Sequence, residues 1–220
     1  MSITKNKLIT LILIIIVSVL IYFSYTYIFP SKILPIYNPS NFNPELVDKS
    51  LHNKSEYHTV SDFSLINQNG ETITQDDYKD KIYVADFFFT RCETICPIMT
   101  DNMANIQEEF LNDDDIMFLS LSVTPEIDSV SVLRDYANKK GVVDSKWNVT
   151  TGHKKHIYDL ARKSYFAVVE KGDGGVQDFI HTPNFILIDK EKQIRGIYDG
   201  TNSDDIEQLI ADIKNLKSSY

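Results

Sequence analysis

Cys92 and Cys96 are the only cysteines in the chain, and three residues separate them. They stand in Thr90-Arg91-Cys92-Glu93-Thr94-Ile95-Cys96-Pro97, between an apolar run and a helical pattern. In the chain-entropy account, a disulfide stabilises more the longer the loop it closes. This pair closes a very short one, so a purely structural bridge explains it poorly. Cys96 falls at or just before the first turn of a helix, where unpaired N–H groups and the helix dipole favour a thiolate. A thiolate attacks disulfides, and it also binds metal. The pair therefore points to redox chemistry, metal binding or both. The common redox motif has two residues between its cysteines, so a spacing of three does not choose between them.

The chain has five histidines. His52 and His58 fall in or near a proline-punctuated stretch and carry little functional signal. His153 and His156 share a helix face, but Lys154 and Lys155 beside them suit a solvated helix start. His181 precedes a buried strand in Asp178-Phe179-Ile180-His181-Thr182-Pro183-Asn184, and loops at strand ends are where α/β sheets assemble sites. The residues alone leave it open between a ligand and a satisfied histidine at a strand entry. With two thiolates it would make a soft donor set, suited to Cu(I) and, through the imidazole, to Cu(II). A structural zinc site wants a fourth ligand, and no residue has an obvious claim to that place.

These residues need strands and helices to hold them. Lys81–Phe89 and Ile116–Val123 read as strands buried on both faces. A helix after the cysteines is predicted from Ile98, Met99, Met103, Ile106, Phe110 and Leu111, with Pro97 in its first turn. Further helices are predicted over 129–140 and 154–164, and a last one on the stripe Ile206, Leu209, Ile210, Ile213 and Leu216. Short strands are predicted at 146–149 and 165–169. Hairpins are predicted at 60–74, on the Asn69-Gly70 signal, and at 184–198. Alternating β and α units with a closing hairpin imply an α/β fold with a mixed sheet flanked by helices.

The body of the chain is acidic. Net charge is −9, and residues 1–29 contribute +2 of it, leaving −11. That is a poor match for nucleic acid, and there is no Gly-rich phosphate loop. Residues 8–29 form an uncharged apolar run long enough to span a bilayer, preceded by Lys5 and Lys7. The positive-inside bias places residues 1–7 in the cytoplasm and the bulk of the chain outside it, on the periplasmic or extracytoplasmic side. With no A-x-A-like cleavage site after the run, a retained single-pass transmembrane helix in the cytoplasmic (inner) membrane is expected. Residues 30–55, with Pro30, Pro35, Pro39 and Pro44, read as an extended linker, and 56–220 as the functional domain.

Three motifs together resemble the Sco/SenC family of copper-binding assembly factors for cytochrome c oxidase. They are Phe88–Pro97 around the cysteines, Ser122-Val123-Thr124-Pro125-Glu126-Ile127-Asp128-Ser129, and His181-Thr182-Pro183-Asn184-Phe185 followed by Asp199-Gly200-Thr201. The resemblance covers roughly 57–217 and the anchor. It implies a thioredoxin-like fold with an added N-terminal β-hairpin. It implies copper as cargo, with Cys92, Cys96 and His181 as ligands, and the CuA site of oxidase subunit II as the partner. The leading expectation is a copper chaperone rather than an enzyme. The alternative is an exported thiol-disulfide reductase using Cys92 to attack and Cys96 to resolve. A peroxidase using a thiolate beside Arg91 is a third reading. The family usually has Asp where this chain has Thr124, which bears on a redox or partner role but not on copper binding. A cis bond at Thr182–Pro183 is also expected.

Overall fold

Ile82–Phe88 forms strand β3, and all seven of its residues are buried. Ile82, Val84 and Phe88 pack on one face of the sheet. Tyr83, Ala85 and Phe87 pack on the other. A strand apolar on both faces must lie between two layers, and that requirement organises the molecule. The structure, a computed structural model, describes residues 2–28, 33–39, 58–168, 172, 175 and 177–220.

The remaining strands are β1 (Ser64–Asn67), β2 (Thr72–Thr74), β4 (Ile116–Ser122), β5 (Trp147–Thr151), β6 (Asn184–Ile188) and β7 (Ile194–Asp199). They make one seven-stranded sheet in the order β2-β1-β5-β4-β3-β6-β7. β3, β4 and β5 run parallel, while β6 is antiparallel to β3 and β1 to β5. Parallel neighbours need crossovers. α2 (Ile95–Glu109) links β3 to β4, and α3 (Val130–Lys140) links β4 to β5. Both pack on one face with α5 (Ser203–Lys217), while α4 (Lys154–Asp159) packs on the other. This is the expected mixed sheet between helices, with the added hairpin β1–β2 joined at β5.

Local chemistry sets the element ends. Gly141 closes α3 with φ of 71°, a left-handed value that costs glycine least. Asn202 caps α5, its side chain accepting from the N–H groups of Asp204 and Asp205, as N-cap residues do.

Three expectations are corrected. The predicted helix 154–164 is α-helical only to Asp159 and then widens into a π turn over Leu160–Ser164. No strand forms at 165–168, and Val169 lies outside the described residues. Phe166 takes φ of 50°. The carbonyl of Ala167 accepts from the side chains of Thr182 and Asn184 instead of from a strand partner. Thr182–Pro183 is trans, since there is no cis peptide bond among the described residues. Trans is the favoured form before proline, and the Thr182 hydroxyl holds the segment by its bond to Ala167.

The expected linker is partly packed on the domain. Leu34 is buried, the Tyr37 N–H donates to the Ile194 carbonyl, and Arg195 donates to the carbonyls of Leu34 and Pro35. Compact packing accordingly begins at Leu34 and runs to Tyr220. Residues 40–57, with most of the linker and His52, lie outside the described residues. The N-terminal unit is the helix α1 (Ser2–Ile28), 27 residues long. Its side chains are described at 7–21 and 24, where Leu8, Ile9, Leu11 to Val17 and Val19 to Ile21 are exposed. Among the described residues no helix is long and apolar enough to cross a membrane.

Candidate metal and thiol site

The cysteine loop leaves the carboxyl end of β3, where Phe88 pairs with Ser122 of β4. The Val123 N–H continues the pairing by donating to the Phe88 carbonyl at 2.8 Å. The turn is then clamped from the side by Asp128, which is fully buried. Its carboxylate accepts from the hydroxyls of Thr90 and Ser122, each at 2.5 Å, and of Thr124 at 3.0 Å. One acid thus ties the start of the cysteine loop to the end of β4.

Cys92 and Cys96 are free thiols, 8% and 3% exposed. The Cys92 N–H donates to the Phe89 carbonyl at 3.2 Å. The Cys96 N–H, in the first turn of α2, donates to the Cys92 sulfur at 3.3 Å. The Thr94 hydroxyl lies 3.6 Å from that sulfur. Burial alone would raise the Cys92 thiol, but the bonds from Cys96 and Thr94 outweigh it and bring Cys92 down to about 6. Cys96 is pushed up to about 12, first by burial, then by its hydrogen bond to Cys92 and the nearby negative charges of Cys92 and Asp86. Helix position alone predicts the thiolate-favouring environment at Cys96. The helix start does supply it, but the N–H is aimed at the sulfur four residues earlier. The pair is therefore split into a thiolate and a thiol.

His181 is exposed. Its ring lies 6.3 Å from the Phe89 ring, centre to centre, and Phe179 meets Phe89 edge-on at 5.1 Å. Phe89 therefore touches the histidine segment with its ring and the cysteine loop with its carbonyl. Among the described residues no three His, Cys, Asp or Glu side chains gather closely enough to hold a metal ion. The two thiols come together, and His181 stands beside them without joining them. The thiol pair suits a soft ion in donor chemistry. The other described histidines have other surroundings. His58 Nε2 lies 2.6 Å from the Ser164 carbonyl with its ring on Phe166, and His153 precedes α4 at its N-cap position without a side-chain cap bond.

Several residues near the site carry weak sequence signals. Asp86, inside β3, accepts from the Ser120 hydroxyl, which accepts in turn from Trp147 Nε1. An acid in an otherwise apolar strand was the available signal. Asp128 lies in the Ser122–Ser129 motif, whose sequence does not reveal the clamp it forms. Phe89 and the Arg162–Asp178 pair carried no signal in spacing or periodicity.

The SCO1/SenC family model matches residues 52–218. The SCO1 protein homolog of Bacillus subtilis is 32% identical over 161 residues, covering 72% of this chain and 83% of that protein. The crystal structure of a SCO1/SenC family lipoprotein from Bacillus anthracis is 33% identical, with a TM-score of 0.64, over 73% of this chain and 95% of that one. BsSco, a member of the Sco family of cytochrome c oxidase assembly proteins in which a disulfide switch was identified, is 31% identical. Its TM-score is 0.63, over 74% of this chain and 95% of that one. Bradyrhizobium japonicum ScoI, solved with copper bound, shares the fold at 21% identity and a TM-score of 0.56, over 72% of this chain and 99% of that one.

Proposed function

The chain belongs to the SCO1/SenC family, and on that footing we propose that it is a membrane-anchored copper carrier for the CuA site of cytochrome c oxidase subunit II. Cys92, Cys96 and His181 hold the ion. The observation that carries this reading is the polarised thiol pair: one sulfur kept as thiolate by the N–H of the other cysteine, beside a histidine segment sharing the Phe89 ring. Copper-bound relatives and the oxidase-assembly role of BsSco support the choice of ion and client.

In this reading the Cys92 thiolate captures the ion. Cys96 then loses its proton as the metal replaces it, which makes binding pH-dependent. His181 turns in from solvent as the third donor. Partner cysteines take the ion by ligand exchange. Oxidation of Cys92 and Cys96 to the disulfide removes both thiolates and abolishes binding. The uncharged run at 8–29 supports an anchor in the cytoplasmic membrane with the domain on the outer side. Copper titration of the reduced full chain tests the site. Stoichiometric binding is expected, lost in Cys92→Ala and Cys96→Ala and weakened in His181→Ala. Binding that His181→Ala leaves unchanged would reject this ligand set.

The split between a thiol near 6 and one near 12 also favours a second reading, reduction of a partner's disulfide. Cys92 would attack and Cys96 resolve, leaving this chain oxidised and the partner's two cysteines reduced. The readings separate in an oxidase-assembly assay. If His181→Ala assembles normally while both cysteine variants fail, reduction is the function.

A further inference from the structure

Residues 178–182 carry His181 past the cysteine loop, and its neighbours on both sides are fixed. The Asp178 carboxylate accepts from Arg162 through both Nη atoms, each at 2.7 Å. The two side chains are only 9% and 7% exposed. The Asp178 carbonyl accepts from the Tyr158 hydroxyl at 3.2 Å, and that hydroxyl also bonds the Val123 carbonyl at 2.9 Å, where β4 ends. Ile180 is buried. On the far side, the Thr182 hydroxyl bonds Ala167 at 2.7 Å. The imidazole is exposed between these fixed points.

A buried ion pair is a poor source of stability, because desolvation offsets most of its attraction. A bidentate guanidinium–carboxylate fork does fix direction as well as distance. Here it fixes the chain three residues before a histidine that must reach the thiols by its own torsions. We propose that the Arg162–Asp178 pair is a positioning device for His181, setting where the imidazole meets copper held by Cys92 and Cys96. This rests on His181 being a ligand, as proposed above. Groups that orient metal ligands without touching the metal change affinity by roughly 10- to 100-fold when removed.

The test uses Cu(II) alone, added to the reduced full chain in detergent, with affinity, thiolate-to-copper absorption and electron paramagnetic resonance as readouts. Two variants are compared: Asp178→Asn, and the double change Arg162→Met with Asp178→Leu, which leaves no unpaired buried charge. Both are expected to keep the thiolate-to-copper band, to lose or reduce the imidazole nitrogen coupling, and to bind copper about tenfold more weakly or worse. Nitrogen coupling and affinity that stay at the wild-type level in both variants overturn the positioning role, while His181→Ala still removes the coupling. Identical spectra for wild type and His181→Ala overturn the ligand set and this inference with it. If both variants fail to fold, the pair is a fold determinant and the proposal falls.

Discussion

The Cys96 N–H lies 3.3 Å from the Cys92 sulfur and donates to it. The first turn of a helix thus serves a residue outside the helix. With Cys92 near 6 and Cys96 near 12, the two thiols differ at neutral pH in charge as well as position. Alkylation by iodoacetamide is expected to label Cys92 with a midpoint near pH 6, leaving Cys96 unlabelled up to pH 9. Peptide mapping of the product checks it. Cys96→Ala removes the thiol donor but keeps the N–H, so the Cys92 midpoint should rise only part of the way to the ordinary range. The depressed Cys92 contributes stability that is complete above the unfolded-chain value, about 8.5, and is lost as pH falls through the folded one.

Thr124 donates to the same Asp128 oxygen that Ser122 does. A carboxylate at position 124 would face Asp128 at hydrogen-bond range, and two carboxylates so close cannot both ionise cheaply. Thr124→Asp is therefore expected to lower stability at pH 7 by about 1–3 kcal/mol, the usual size of a broken buried hydrogen bond. Urea denaturation at pH 7 measures this, and a variant as stable as wild type would contradict the clamp.

The parts of the molecule governed by periodicity were legible from residues alone. β3 and β4 announce themselves as unbroken apolar runs, and α5 as a stripe. The cysteine loop was legible because thiols are rare and their spacing is local. The missing pieces are long-range. The 165–168 segment has strand-like residues, but its carbonyl at Ala167 is claimed by Thr182 and Asn184, which no local pattern reveals. The direction of the Cys96 N–H, and with it which sulfur becomes the thiolate, depends on how the loop folds back. His181 was read through the resemblance, and the sequence gives no hint that its segment is tied to Arg162, 16 residues earlier.

Gly200 shows why one short motif tolerates little change. Its N–H donates to the Pro183 carbonyl at 2.7 Å. A Cβ there would come within 2.8 Å of the Phe185 ring and 2.9 Å of that same carbonyl. Both belong to the segment that follows His181. Gly200→Ala is expected to cost about 1–3 kcal/mol through overpacking and to shift the His181 imidazole resonances in NMR spectra. A variant as stable as wild type, with unmoved resonances, would show that Phe185 yields freely.

Asp86 gives the most distinctive pH dependence. It is 2% exposed in the middle of β3, and burial raises its carboxyl to about 7 although the Ser120 hydroxyl bond lowers it. The sign is opposite to that of Cys92. A raised acid contributes stability that is complete below its unfolded value, near 4, and is lost as pH rises through the folded one. At about 1.4 kcal/mol per pH unit, roughly 4 kcal/mol is the ceiling for that loss between pH 4 and 8. Asp86→Asn keeps an oxygen to accept from Ser120 and cannot ionise. It should flatten this part of the stability profile and leave the variant more stable than wild type at pH 8. It also takes a negative charge from the surroundings of Cys96 and Tyr136, both raised chiefly by burial and further by Asp86. The Cys96 thiol should therefore titrate lower in the variant. Urea unfolding from pH 4 to 8 measures the first effect and alkylation of Cys96 above pH 9 the second. A variant whose stability still falls with pH as steeply as wild type would show that Asp86 is not the group that titrates.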